Sequence, residues 1–223
     1  MRGGKSIVCV TLIAVGIVAV RGSAVIAQEE HRQAEEGPQT AQPLEVTLPE
    51  GWTMEDVQAC VVAATPGEQH QFLSRDVGTW ECETSTYMDP NKEPVRGECE
   101  AVVTPLMDGR YIQVDMRGDL PGLGAYAGLG TFGFDIAKGK YSATWLDNQS
   151  TSMMVGEGEL SEDGRVMAWK FQYTCPITKK PTTMREVETY HSADEKTLEM
   201  FTINPKTGKE SKMMRIDMKR VKE

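Results

Sequence analysis

The chain has 223 residues, 39% hydrophobic and 26% charged, with 33 acidic against 24 basic side chains and a formal net charge of −9. This composition sustains a buried core and excludes a low-complexity or fibrous chain. With no basic stripe and no interleaving of basic and aromatic residues, the acidic balance argues against nucleic acid or an anionic membrane surface as partner.

Arg2 and Lys5 precede an apolar run from Ile7 to Val20, and Val25-Ile26-Ala27 puts small residues where a signal peptidase cuts. Residues 1–27 are predicted to be a cleavable signal peptide. The run is short of the roughly 20 residues a spanning helix needs, so no stable membrane insertion is expected after cleavage. The expected location is secreted, in the periplasm of a bacterial envelope. Losing Arg2, Lys5 and Arg21 takes the formal charge to −12. Residues 28–50 are rich in Glu, Gln and Pro and read as a disordered acidic linker that carries His31.

Met54, Val57, Cys60 and Val61 recur at helical spacing over Trp52 to Ala64. Thr65-Pro66-Gly67-Glu68 predicts a second helix from Pro66 to about Asp76, capped by Thr65 and stopped by Gly78, with Phe72, Leu73 and Val77 buried and His70 exposed.

From Thr79 the pattern alternates. Strands are predicted at 79–88, 95–104, 110–118, 124–136, 139–147, 151–160, 164–175, 182–192, 195–204 and 209–221, separated by turn sequences such as Asp89-Pro90-Asn91, Asp163-Gly164 and Lys206-Thr207-Gly208. Ten strands with no helix between them describe an antiparallel meander, which must close or split to hide its edges. The expected fold is all-β: one up-and-down antiparallel barrel of about ten strands after short N-terminal helices, together spanning 51–223. A barrel of that size leaves room for a ligand.

Ala64-Thr65-Pro66-Gly67-Glu68-Gln69-His70, Val77-Gly78-Thr79-Trp80, Asp108-Gly109-Arg110-Tyr111, Tyr141-Ser142-Ala143-Thr144-Trp145-Leu146-Asp147-Asn148 and Arg185-Glu186-Val187 occur in this order. Together they resemble the bacterial domain of unknown function 1579 family, over about residues 55–221. The resemblance implies a calycin-like barrel, related to lipocalins and fatty-acid-binding proteins, and no assigned activity. It also implies that Trp80 packs under a basic side chain of the last strand, Arg215 or Arg220.

The candidate ligand-binding residues are Trp145, Trp169, Phe171, Tyr173 and Met154, with Arg185 and Asp147 as polar contacts. Methionines on most predicted strands suit a lumen for irregular apolar molecules. Asp147-Asn148-Gln149-Ser150 reads first as a turn. Arg185, Glu186 and Glu188 read as an ion-paired outer face, although an inward carboxylate would have a raised pKa. The glycines between Pro121 and Gly130 read as a bend or bulge, not a phosphate cradle, because a strand follows them.

Export favours disulfides, and Cys82 and Cys99 fall on adjacent strands; the four cysteines after the signal peptide allow three pairings. No metal site and no cofactor are expected; His191, at the start of a turn, is the one barrel histidine to which a haem reading attaches. The leading expectation is a binding module for a small hydrophobic or amphipathic ligand. The alternatives are an enzyme using Asp147 or Glu186 as general base, and a ligandless docking protein. Oligomeric state is not encoded in any motif.

Overall fold

The computed structural model describes residues 48–89, 92–120 and 124–222. The predicted signal peptide and the linker up to residue 47 lie outside them, as do Pro90, Asn91 and the first three residues of the glycine-rich run. The chain divides into two compact units at Thr65/Pro66.

In the first unit, helix α1 spans Met54–Ala64. Thr53 starts it with a reciprocal cap: the Asp56 amide donates to the Thr53 hydroxyl at 3.2 Å, and the Thr53 amide donates to the Asp56 carboxylate at 2.8 Å. Thr65, predicted to open the next helix, instead closes this one by donating its hydroxyl to the Val61 carbonyl at 2.7 Å.

The second unit opens with α2, Glu68–Ser74, whose N-cap is Gly67. Ten strands follow: β1 Gly78–Thr86, β2 Val95–Leu106, β3 Tyr111–Leu120, β4 Gly124–Asp135, β5 Lys140–Asp147, β6 Met154–Leu160, β7 Val166–Thr174, β8 Pro181–Tyr190, β9 Glu195–Ile203 and β10 Glu210–Arg220. Each pairs antiparallel with its sequence neighbours, and β1 pairs with β10, so the sheet closes into a barrel without edges. Glycine holds the tight tips where φ is positive, as at Gly139 (+66°) and Gly164 (+68°). Alternation sets the interior: along β7, Met167, Trp169 and Phe171 are buried while Ala168, Lys170 and Gln172 are exposed.

Helix α2 packs its apolar side against residues at one end of the barrel. Phe72 meets Tyr141 and Tyr190 edge-on, with ring centroids 6.0 and 5.3 Å apart. His70, expected to be exposed, is buried: its ring lies 6.0 Å from Phe134, edge-on, and its Nδ1 accepts the Gly67 amide at 3.0 Å. The side chain serves as the helix cap, so its polar neighbours in sequence were no guide to its environment. Burial lowers the His70 pKa, which keeps the ring neutral and able to accept.

The same end is latched by Trp80 and Arg220, direct partners across β1 and β10. The Arg220 guanidinium lies 4.3 Å over the Trp80 ring and donates to the carbonyls of Val77 and Arg75, each at 2.6 Å. The Trp80 indole donates to the Asp76 carbonyl at 2.8 Å. Arg215 faces the other way, onto Asp217. Of the two basic residues left open by the sequence, Arg220 covers the tryptophan.

Candidate functional site

The inward side chains do not fill the barrel. They enclose a cavity of about 370 Å³ whose wall draws on every strand. Apolar groups dominate, including Phe132, Trp145, Trp169 and Phe171 and nine methionines. Large rings coexist with open space because glycines on neighbouring strands seat them. A Cβ on Gly128 or Gly130 would lie 2.5 or 2.6 Å from the Trp145 indole; on Gly158, 2.6 Å from Trp169; on Gly156, 2.7 Å from Phe171. The rings therefore lie flat against the wall. The bulge offered for the glycine-rich run is absent from Gly124 onward: pairing from Tyr111 with Gly133 to Leu120 with Gly124 keeps its register.

Toward the end away from α2, Trp145 donates its indole N–H to the Tyr126 hydroxyl at 3.2 Å. Asp147 lines the wall beside them and accepts the Gln149 amide at 3.0 Å. Asn148 pins this turn to β4 by accepting the Ala127 amide at 3.0 Å and donating to the Ala125 carbonyl at 2.8 Å. The stretch is a turn, as its composition suggested, with one carboxylate left on the cavity wall.

The floor is an ionic knot. Lys196, 5% exposed, sets its ammonium 2.6 Å from Asp76 and 2.8 Å from Glu188. The Tyr190 hydroxyl donates to Glu188 at 3.1 Å and to Asp76 at 3.3 Å. Burial alone would push Lys196 toward neutrality, but the Glu188 and Asp76 carboxylates outweigh it and hold the ammonium above its usual range. Burial raises the Asp76 carboxyl despite the lysine. Asp76 follows α2, so the knot ties that segment to β8 and β9.

Between floor and mouth lies Glu186, 8% exposed, on the cavity wall. It sits opposite Trp169 on β7 and Met200 on β9. Among the described residues none hydrogen-bonds to its carboxyl. Burial pushes it up to about 8, and the Glu188 carboxylate adds to the rise. The hydroxyls of Thr84 and Thr86, also on the wall, are buried and have no hydrogen-bond partner among the described residues.

Trp145, Trp169, Phe171, Met154 and Asp147 all stand on the wall of this one cavity. Tyr173 continues the inward face of β7 but lies outside the cavity wall, half-buried among core neighbours. Arg185 is a correction. It projects outward, paired with Glu210 at 2.8 Å and stacked 3.9 Å from the Phe201 ring centroid, because the period of two that brings Met184 and Glu186 in turns Arg185 out. Glu186 and Glu188, read with it as an outer ion pair, face the lumen instead. Glu186 is given to the lumen only by the general-base alternative, and the Lys196 knot by no reading of the sequence.

Cys82 and Cys99 are direct partners across β1 and β2, and both are thiols. The hydrogen bond with Cys99, and burial after it, raise the Cys82 thiol. His191, the residue behind the haem reading, is exposed and bonds Thr197 at 2.9 Å, away from the cavity wall. Asp147 and Glu186, the two residues of the general-base reading, both line the cavity.

Over residues 65–220 the sequence matches the family described as "Protein of unknown function (DUF1579)". The chain belongs to this family. No curated protein matches it. Among solved structures it is similar to Rv2717c from M. tuberculosis, with 14% identity and a TM-score of 0.52 over 71% of this chain and 100% of that one. It also matches an S-type phycobiliprotein lyase, CPES, from Guillardia theta, with 12% identity and a TM-score of 0.49 over 71% and 99% of the two chains. The first likeness supports the barrel fold. The family carries no assigned activity.

Proposed function

We propose that this family member is an exported binding protein whose barrel holds a small apolar or amphipathic molecule. The observation that carries the reading is the cavity itself: about 370 Å³, walled by aromatic and methionine side chains. That volume falls in the range of roughly 300–1,000 Å³ usual for small-molecule sites. Methionine suits it because an unbranched, polarizable side chain adapts to irregular ligands. Leaving such a space empty forfeits packing energy, and a ligand recovers it. The N-terminal charge and apolar pattern of residues 1–27 supports export through the cell envelope.

Titration with the neutral fluorescent probe N-phenyl-1-naphthylamine tests the binding reading. Saturable emission enhancement is expected, lost in Met200→Trp, which fills the space beside Glu186. Equal enhancement by both proteins would place the probe outside the barrel and defeat the proposal.

A further inference from the structure

Carboxyl groups outnumber basic groups on the lumen wall. The wall carries the carboxyl groups of Asp147, Glu186, Glu188 and Asp76, and among the described lining residues the only cation is Lys196. That cation is committed, 2.6 Å from Asp76 and 2.8 Å from Glu188. A ligand with a carboxylate or phosphate head would find no unengaged cation among the described lining residues and would bring an uncompensated charge into a poorly solvated space. Glu186 itself is more than nine-tenths buried, lines the cavity and has no partner among the described residues. A buried polar group without a partner is costly and rare in a finished fold, so a complementary group on the ligand is the natural completion. The Trp169 ring stands directly opposite on β7, and an aromatic face attracts a cation.

We propose that the ligand is an amphipathic cation, an apolar body bearing a protonated amine, whose ammonium pairs with the Glu186 carboxylate against Trp169. This rests on the lumen being a binding site and names the class of molecule it selects. Pairing requires Glu186 to be ionised. The proton it holds in the empty barrel leaves to solvent as the ammonium arrives, and binding at pH 7 therefore releases close to one proton. The titratable groups sharing this wall are Glu188 on β8, Lys196 on β9, Tyr126 on β4, Asp147 on β5, Asp119 on β3 and Glu98 on β2, and the cation Lys196 is held by Asp76 and Glu188.

The test compares decylammonium, decanol and decanoate by isothermal titration calorimetry below their aggregation limits, in two pH 7 buffers of different ionisation enthalpy. Decylammonium is expected to bind at least tenfold more tightly than decanol, with net proton release, and decanoate more weakly than either. Glu186→Gln keeps the shape and charge of the protonated acid; it should abolish both the ammonium preference over decanol and the proton release. Decanol binding as tightly as decylammonium, decanoate binding best, or an unchanged preference in Glu186→Gln would each overturn the inference and leave the binding reading intact. If none of the three binds, the binding reading falls and takes the inference with it.

Discussion

Glu186→Gln has a consequence for stability that can be worked from burial alone. The folded protein holds this carboxyl at about 8, against an ordinary value of 4.5. A folded-state pKa above the unfolded one means that the native state binds the extra proton. The contribution is therefore fully present below about pH 4.5 and is lost as pH rises through about 8. Between pH 5 and pH 8 the linkage relation removes about 3.5 kcal/mol from the native protein, and nothing from a glutamine that does not titrate. At a urea dependence of about 2 kcal/mol per molar, this is a relative shift in unfolding midpoint of about 1.7 M. Urea unfolding of both proteins, followed by tryptophan fluorescence at pH 5, 6.5 and 8, measures it. The native-minus-variant difference should become steadily less favourable to the native protein with pH. A difference constant within about 0.5 kcal/mol, the ordinary scatter of neutral substitutions, would mean that Glu186 is ionised and solvated.

Lys196→Met strands Asp76 and Glu188 and should cost about 3–5 kcal/mol in chemical denaturation at pH 7; combining it with Asp76→Asn and Glu188→Gln should recover most of that. A loss under 1 kcal/mol for the single variant would show that the floor charges are solvated. Gly78→Ala puts a Cβ 2.7 Å from the Arg220 guanidinium at a φ of +136° and should lower stability by about 1–3 kcal/mol. An unchanged thermal midpoint would separate Arg220 from the seat of Trp80. Because Cys82 and Cys99 are cross-strand partners, mild oxidation should join them, with loss of the mass of two hydrogen atoms and a linked peptide pair after digestion. Alkylation of both cysteines after unfolding the oxidised protein would contradict that geometry.

Most of the strand plan was legible because alternation and turn chemistry are local. Predicted bounds such as 95–104 and 195–204 become Val95–Leu106 and Glu195–Ile203. The choice of Arg220 over Arg215 was also within reach, since Ile216, Met218 and Arg220 share the period-two face that Arg215 does not. The phase of β8 is readable from Met184 and Tyr190 and turns Glu186 and Glu188 inward, against the usual surface preference of charged side chains. The floor was not readable: Asp76 and Lys196 are 120 residues apart, and only closure of the barrel brings them together. The seating of Trp145 on Gly128 and Gly130 likewise depends on the pairing of β4 with β5, which no window along the chain contains. His70 needed knowledge that α2 covers the end of the barrel.

The most direct test of the binding account is native mass spectrometry of the protein purified from the cells that produce it, compared with the same sample denatured and refolded. The account predicts a population carrying extra mass of small-molecule size that disappears on denaturation. A bare chain mass in both samples, under conditions that preserve the barrel, would contradict it.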